Sequence, residues 1–310
     1  MLFPPHYQSR YVIRGSQSKG FTNKMKKTVL VTGGCGFVGS NLVDRLVQLD
    51  YQVIVIDDLR AGRQEYCNLE AKYIFEDFRE VLKNKKDESI DVIFHLAACA
   101  RIQPSFAAPL YTYENNALGT AIVAEFAKHS GAKVVYSGSS SIYYDTHASP
   151  YTFSKWQGEE VLKMYSHVYD LDAAIVRFFN VYGPRNPIIG QYTPVIAIFE
   201  EQIKAGKPLT VVGDGEQRRD FTHISDICDG LIAVSEQSWS AEIFNIGTGT
   251  NFSMNEIADM FGGEKEYIPE RRNEAKETLA DNSKAKELLD WSAKHTLPDY
   301  IEGFLKELKA

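Results

Sequence analysis

The chain has 310 residues, of which 44% are hydrophobic and 24% charged, the make-up of an ordinary globular protein large enough for one big domain or two smaller ones. A formal charge of -7 gives no electrostatic reason to expect nucleic acid or an anionic membrane as a partner, so an anionic ligand has to be met by a local pocket that concentrates a few arginines. Cys35, Cys67, Cys99 and Cys228 lack the paired spacing of a disulfide framework or metal site and read as reduced packing residues of a cytoplasmic protein; no stretch approaches the length of a membrane span. Residues 1–24 hold Arg10, Arg14, Lys19 and Lys24 but no acid and no apolar core, and they precede Met25-Lys26-Lys27, which looks like a natural start. They read as a disordered extension, with a transit peptide as the sharper alternative.

The apolar run Thr28 to Val31 leads into Thr32-Gly33-Gly34-Cys35-Gly36-Phe37-Val38-Gly39-Ser40, and Asn41 to Val47 then carries apolar residues at helical spacing. The stretch reads as strand, tight turn and helix start. Gly33 permits the turn, Gly36 lets the backbone approach a diphosphate, and Gly39 lets helix and strand pack closely. The diphosphate would sit on the helix N-terminus, where free N–H groups and the macrodipole favour an anion. A second apolar run, Val53 to Ile56, ends in Asp57 about twenty residues on, the place of a ribose-binding carboxylate. Because Asp57 would repel a 2′-phosphate, the expected cofactor is NAD rather than NADP.

Further along, Lys72 to Phe75 and Asp91 to Phe94 are short apolar runs separated by charged, helix-compatible sequence, the pattern of parallel strands in an alternating α/β domain. Asp77 follows the first run, either meeting the adenine end of the cofactor or ending the strand as a solvated acid. His95-Leu96-Ala97-Ala98 follows the second; its small residues let the backbone lie against a ligand, and His95 reads as a hydrogen-bonded core histidine rather than a base. Pro109 to Ser130 reads as one long helix whose apolar face is interrupted by Asn115 and Asn116. A strand from Lys133 to Ser137, a serine cluster, a helix from Tyr151 to Tyr169 and a strand from Ala173 to Phe178 complete a sixth βα step. The expected fold is α/β, a doubly wound parallel sheet with its ligand crevice beyond the C-terminal strand ends.

From Gly183-Pro184 onward the alternation loosens. Helices around Pro194 to Lys204, Met254 to Phe261, Ser283 to Leu289 and Leu297 to Leu308, with a strand at Leu209 to Val212 and sheet-like Glu242 to Ile246, suggest a smaller α/β substrate lobe interleaved with the first. The expected division gives 25–182 to the cofactor domain, with sheet material returning around 215–250, and 183–214 with 251–310 to the substrate lobe.

Tyr151-Thr152-Phe153-Ser154-Lys155 places a phenol and an ammonium four residues apart on one face of a helix. A tyrosine titrates near ~10, and a neighbouring ammonium together with a cationic nicotinamide ring would bring the phenol toward working pH. Tyr151 could then take a proton from a sugar hydroxyl, while Ser139, at a strand end, orients the same oxygen. Arg219 and Arg271 suit a diphosphate clamp in an otherwise acidic chain, whereas Arg218 and Arg272 read as surface residues.

Taken together, Thr32-Gly33-x-x-Gly36-x-x-Gly39, Asp57, His95-Leu96-Ala97-Ala98, Ser139, Tyr151-x-x-x-Lys155 and Arg177-Phe178-Phe179-Asn180-Val181-Tyr182-Gly183-Pro184 resemble an extended short-chain dehydrogenase/reductase of the nucleotide-sugar epimerase group. Gly213-Asp214-Gly215, Arg219-Asp220-Phe221, Asn245-Ile246-Gly247 and Ala280-Asp281-x-Ser283-Lys284-Ala285 extend the resemblance over nearly everything after Lys26. It implies a Rossmann-like sheet, Ser139, Tyr151 and Lys155 as catalytic groups, and Lys155 also on the nicotinamide ribose. It implies cofactor contacts from Phe37, Val38, Asp58, Phe78, Leu96, Ala97, Ala98, Asn115 and Phe178, and substrate contacts from Ser140, Asn180, Gln191, Tyr192, Arg219 and Arg271. A homodimer through the helices beginning near Pro109 and Tyr151 is implied as well.

Related 4,6-dehydratases carry an acid pair just after the catalytic hydroxyl and the decarboxylases that make UDP-xylose keep a glutamate there; here stand Ser140 and Ser141. Gly138 replaces a frequent serine. Thr278 falls where galactose epimerases carry a gatekeeping residue, tyrosine in enzymes restricted to plain hexoses and a small residue in those admitting 2-acetamido sugars; otherwise it packs under the C-terminal helix. The expected activity is NAD-dependent, redox-neutral C4 epimerisation of a UDP-hexose, with a net nucleotide-sugar oxidoreductase or a non-catalytic NAD-sensing protein as alternatives.

Overall fold

Short valine- and isoleucine-rich runs bury both faces when they pair in parallel, and this organises the computed structural model, which describes residues 26–84, 89–188, 193–270 and 275–309. The first part alternates as β1 (Thr28–Thr32), α1 (Phe37–Gln48), β2 (Gln52–Ile56), β3 (Lys72–Ile74), α2 (Phe78–Asn84), β4 (Val92–His95), α3 (Ile102–Ala107), α4 (Pro109–Tyr113), α5 (Gly119–Ser130), β5 (Lys133–Ser139), α6 (Pro150–Tyr169) and β6 (Ala173–Phe178). Then come β7 (Asn180–Tyr182), α7 (Val195–Lys204), β8 (Leu209–Val212), β9 (Arg218–His223), α8 (Ile224–Ser235), β10 (Ser240–Ile246), β11 (Asn251–Ser253), α9 (Met254–Phe261), β12 (Lys265–Ile268), α10 (Ser283–Leu289) and α11 (Leu297–Lys309).

One sheet runs β10-β6-β5-β4-β1-β2-β3, every neighbouring pair parallel, which is the Rossmann-like arrangement expected. Period-two alternation sorts its side chains. Val29, Val31, Val53 and Val55 face α1, α8 and α10, while Leu30, Ile56, Ile93, Val134 and Ile175 face α2, α5 and α6. Each such side chain contributes about 1.5–3 kcal/mol on leaving water. The register sets Thr32 opposite both Ile56 and His95 and sets Ser139 opposite Phe178, so the C-terminal strand ends open along one edge.

Pro109 to Ser130 is not one continuous α-helix: a π turn at Glu114–Leu118 separates α4 from α5. The cause is Asn116. Its side chain leaves the helix surface to accept from Cys99 N at 2.8 Å and donate to Cys99 O at 3.2 Å and Ser154 Oγ at 3.0 Å. Such one-turn widenings bring an extra side chain inward, often at functional sites.

In the smaller lobe α7, α9 and α11 pack with the parallel pair β8 and β12 around Phe199, Leu209, Ile257, Phe261, Leu297 and Ile301. Ser253 and Glu256 form a capping box that fixes the start of α9. A third sheet, β11-β9-β7, joins the lobes. α10 and Trp291 pack into the core of the main sheet. Ala285 and Trp291 are buried there, and Trp291 Nε1 donates to Asp226 O at 3.0 Å. All four cysteines are free, with the Sγ atoms of Cys35 and Cys67 3.5 Å apart. Among the described residues no helix is long and apolar enough to cross a membrane, and no cluster of ligating side chains could hold a metal ion.

Asp220, fully buried on β9, ties these parts together. Its Oδ1 accepts from Thr248 N at 3.0 Å and Thr248 Oγ1 at 2.8 Å, and its Oδ2 from Gly249 N at 2.9 Å and Ala280 N at 3.1 Å. Asp220→Ala strands these donors in the interior and should lower the unfolding free energy by about 3–5 kcal/mol in a urea titration. An unchanged midpoint would mean that the Thr248 turn and Ala280 are held by other contacts.

Candidate active site

Two of the three turn glycines are demanded by the protein itself. Gly33 has φ +75°, and a Cβ there would lie 2.7 Å from Ala97 N; at Gly39 it would lie 2.1 Å from Gly33 O. Gly36 is different. Its φ of -79° suits any residue, and among the described residues the only near neighbour of an added Cβ is Gly33 O at 3.3 Å. A ligand approaching from outside supplies the missing reason for a glycine. α1 also starts at Phe37 and Val38 with no side-chain cap and no acid in its first turn, so the cradle fits the diphosphate of NAD.

Asp57 follows β2, accepting from Cys35 N at 2.9 Å and Leu59 N at 2.8 Å, so the carboxylate braces the glycine turn from behind. Burial raises its pKa against these two bonds, which lower it. Asp58 pairs with Arg60, and Asp77 caps α2 while held below the usual carboxylate range by its hydrogen bonds to Arg79. Leu96, Ala97 and Ala98 form a half-buried turn at the end of β4, and Phe178 ends β6. The Phe78 side chain is buried against His95, ring centroids 5.2 Å apart. Only its backbone at the start of α2 remains for a cofactor. His95 is the core histidine expected: its Nδ1 lies 2.7 Å from Thr32 Oγ1 and its Nε2 3.3 Å from Thr120 Oγ1, and burial, then Lys155, lowers its pKa to about 3.

Ser149 accepts from Thr152 N at 3.1 Å and Pro150 takes the first turn, which fixes the start of α6 and with it Tyr151. The Ser139 hydroxyl, at the end of β5, hydrogen-bonds the Tyr151 phenol and also touches Ser141 Oγ at 2.9 Å. Ser140 starts the short 3₁₀ turn that follows. Lys155 is buried, donating from Nζ to Ser137 O at 2.8 Å and Ser137 Oγ at 3.2 Å and lying 4.8 Å from the Tyr136 ring centroid. Burial lowers its pKa to about 7, opposed by Glu159. Glu159 is itself locked to Arg177, with Nε and Nη2 donating at 3.0 and 2.6 Å. A Cβ on Gly138 would meet Glu159 Oε1 at 2.9 Å and Arg177 Cγ at 3.0 Å, which accounts for glycine in place of serine.

The Lys155 ammonium donates to Ser137, and burial pushes the Tyr151 phenol up, opposed first by the Ser139 hydrogen bond and then by the Arg101 guanidinium. Sequence reasoning passed over Arg101, although it is the sole charged residue between Asp91 and Glu114. Asn116 was also passed over in favour of Asn115. Both are buried, but among the described residues the Asn115 side chain reaches only Asn116 Oδ1, at 3.2 Å, whereas Asn116 bridges the Cys99 turn to Ser154 on α6.

On the far side of the cleft Asn180 donates to Asp220 O at 3.2 Å and Thr278 Oγ1 at 3.5 Å, and Asp220 N donates to Thr278 Oγ1 at 3.3 Å. Thr278 therefore stands beside Asn180. Arg219 donates to Arg218 O at 2.9 Å, while Arg218 pairs with Glu256. Gln191, Tyr192, Arg271 and Arg272 lie outside the described residues.

The model of the NAD dependent epimerase/dehydratase family matches residues 29–247. The chain belongs to this family. As a member it is an NAD-dependent enzyme, and its relatives cover most of the chain. A UDP-glucose 4-epimerase of Mycolicibacterium smegmatis is 34% identical over 302 residues, covering 88% of this chain and 95% of the relative. Among solved structures, UDP-glucose 4-epimerase of Thermotoga maritima, with UDP-glucose, superposes with a TM-score of 0.84 at 29% identity, covering 91% of this chain and 100% of that one. A UDP-N-acetylglucosamine 4-epimerase of Methanobrevibacter ruminantium, in complex with UDP-N-acetylmuramic acid, gives 0.82 at 30% identity, covering 92% and 97%.

For this family member, the glycines make separable predictions. Gly36→Ala should fold with a nearly unchanged Tm yet bind NAD at least ~10-fold more weakly in a titration, whereas Gly39→Ala should lose Tm outright. NAD affinity unchanged in Gly36→Ala would remove the diphosphate from that turn.

Proposed function

We propose that this protein interconverts UDP-hexoses that differ in configuration at C4, without net oxidation. The observation that carries this reading is the conjunction of Ser139 with Tyr151 at a strand end followed by Ser140 and Ser141, hydroxyls with neither the acid nor the base that elimination or decarboxylation requires. NAD, when bound, supplies a hydride acceptor at C4 that can also return the hydride. Tyr151 takes the C4 hydroxyl proton as the 4-keto sugar forms and gives it back after the sugar has turned about its diphosphate tether. Ser139 orients that oxygen. Lys155 holds the nicotinamide ribose, and Asn116 keeps α6 against the Cys99 turn so that Tyr151 and Ser139 stay in register. The nucleotide half falls to Asn180, Arg219, Arg271, Gln191 and Tyr192.

Self-association to a homodimer through α4 and α6 belongs to the same reading. It is supported by exposed Leu110 and Tyr113 on α4 and Met164, Val168 and Tyr169 on α6. A depression of about 560 Å³ between Phe106, Pro109, Tyr113, His147 and Phe153 lies on this same side.

Incubating the protein with a panel of UDP-sugars and reading C4 configuration by NMR tests the reading directly: a pair of C4 epimers should equilibrate with no accumulation of NADH. Stoichiometric NADH would favour the net oxidoreductase. Tyr151→Phe should bind NAD and UDP-sugar normally but lose at least ~10²-fold in kcat, since only the proton transfer is removed. Wild-type kcat in that variant would take the acid–base role from Tyr151.

Thr278 bears on which sugar is taken. It is small, half-buried and beside Asn180, which supports room for an N-acetyl group at C2 and interconversion of UDP-GlcNAc with UDP-GalNAc alongside the plain hexoses. A phenol ring would fill that volume, and overpacking costs about 1–3 kcal/mol. Thr278→Tyr should therefore reduce kcat/KM for the acetamido sugars far more than for UDP-glucose and UDP-galactose. Equal losses would remove the gate from Thr278.

A further inference from the structure

Ser137 lies two residues before Ser139 on β5, is buried, and holds three side-chain and backbone contacts at once. Its hydroxyl donates to His95 O on β4 at 3.0 Å, and because a carbonyl can only accept, that contact takes the one hydrogen the serine has. The hydroxyl therefore meets Lys155 with a lone pair, accepting from Nζ at 3.2 Å, while the backbone carbonyl of the same residue accepts from Nζ at 2.8 Å. An ammonium has three donors. Two go to Ser137, which leaves one for a bound group.

The same contacts continue to the glycine turn. Thr32 Oγ1, at the end of β1, lies 2.7 Å from His95 Nδ1 and accepts from Ala97 N at 3.3 Å. A hydrogen-bonded line thus crosses β1, β4 and β5 to α6, from the turn that fits the diphosphate to the ammonium assigned to the nicotinamide ribose. Thr32, His95, Ser137 and Lys155 are all buried, where a lost partner costs more than it does in water. The ionisable groups around Nζ are Tyr136 on β5, its ring centroid 4.8 Å away, His95 on β4, Cys99 after β4, and Glu159 one turn along α6, which is paired with Arg177 of β6. Among the described residues it is Ser137 that accepts from Nζ.

We infer that Ser137 is a positioning residue for the cofactor: it takes two of the three Lys155 donors and so aims the remaining one at the nicotinamide ribose. No bond is made or broken at Ser137, and the charge it places stays on the face of α6 that carries Tyr151 one turn earlier. The inference rests on the hold of Lys155 on the ribose given above, but it has readouts that need no turnover.

One readout is the titration of the Lys155 ammonium, followed by ¹³C-lysine NMR in the full-length protein saturated with NAD and assigned by its loss in Lys155→Met; the other is NAD affinity in a binding titration. Taking an acceptor away from the charged form lowers an ammonium's pKa, so Ser137→Ala should drop that of Lys155 by about one unit and weaken NAD about 10-fold. Threonine and valine share a shape, so together they separate the hydroxyl from its volume. Ser137→Thr should stay near wild type in both readouts, and Ser137→Val should follow Ser137→Ala. In Lys155→Met, where no ammonium is left to aim, adding Ser137→Ala should weaken NAD no further. A Lys155 titration unmoved in Ser137→Ala overturns the inference, as does equal behaviour of the threonine and valine variants, or an NAD loss that adds in full to that of Lys155→Met. Wild-type NAD affinity in Lys155→Met would remove the ribose from Lys155 and overturn it too. A protein that turns over no UDP-sugar but shows the titration and affinity shifts would defeat the proposed epimerisation and leave the role of Ser137 standing.

Discussion

The parallel ladder β1–β4–β5–β6 is the constraint on which the rest depends. β5 is buried along all seven of its residues, and its neighbours β4 and β6 are almost as enclosed, so a slip of one residue would turn every side chain of a strand to the other face. With the register fixed, Thr32 lies across from His95, His95 across from Tyr136, and Ser139 across from Phe178. The hydroxyl, the glycine turn and the alanine turn thereby arrive at one edge without being linked in sequence.

What happens at that edge is governed by where charge is satisfied in the interior. Glu159 and Arg177 form a two-contact pair beneath Gly138, and that pair supports Lys155, whose ammonium is otherwise desolvated. Lys155 in turn has Ser137 O and Oγ. Every one of these buried groups has a partner, which is the condition under which interior charge is tolerated.

Where local pattern and burial agreed, the sequence was enough. Ala173–Phe178, Leu209–Val212, Met254–Phe261 and Ser283–Leu289 stand as read, the first because a run enclosed along its length leaves one solution and Met254–Phe261 because its apolar stripe does. β7, β9 and β11 were not legible. Two have only three residues, and Arg218–His223 on β9 carries arginines, an aspartate and a histidine satisfied by loops distant in sequence. The π turn escaped because a helical apolar pattern does not reveal that Asn116 will bond the backbone of Cys99. At the site, Ser139, Tyr151 and Lys155 were found by spacing, yet spacing says nothing of where an ammonium points. Lys155 turns to Ser137.

The central claim, that the hydrogen on C4 leaves and returns within a single site, is tested most directly with a UDP-hexose carrying deuterium at C4. The account predicts that the C4 epimer formed by this protein keeps the deuterium at C4, with no label in the solvent and no build-up of reduced cofactor. Loss of the label from the epimer, or a keto sugar released with one equivalent of labelled NADH, would contradict it.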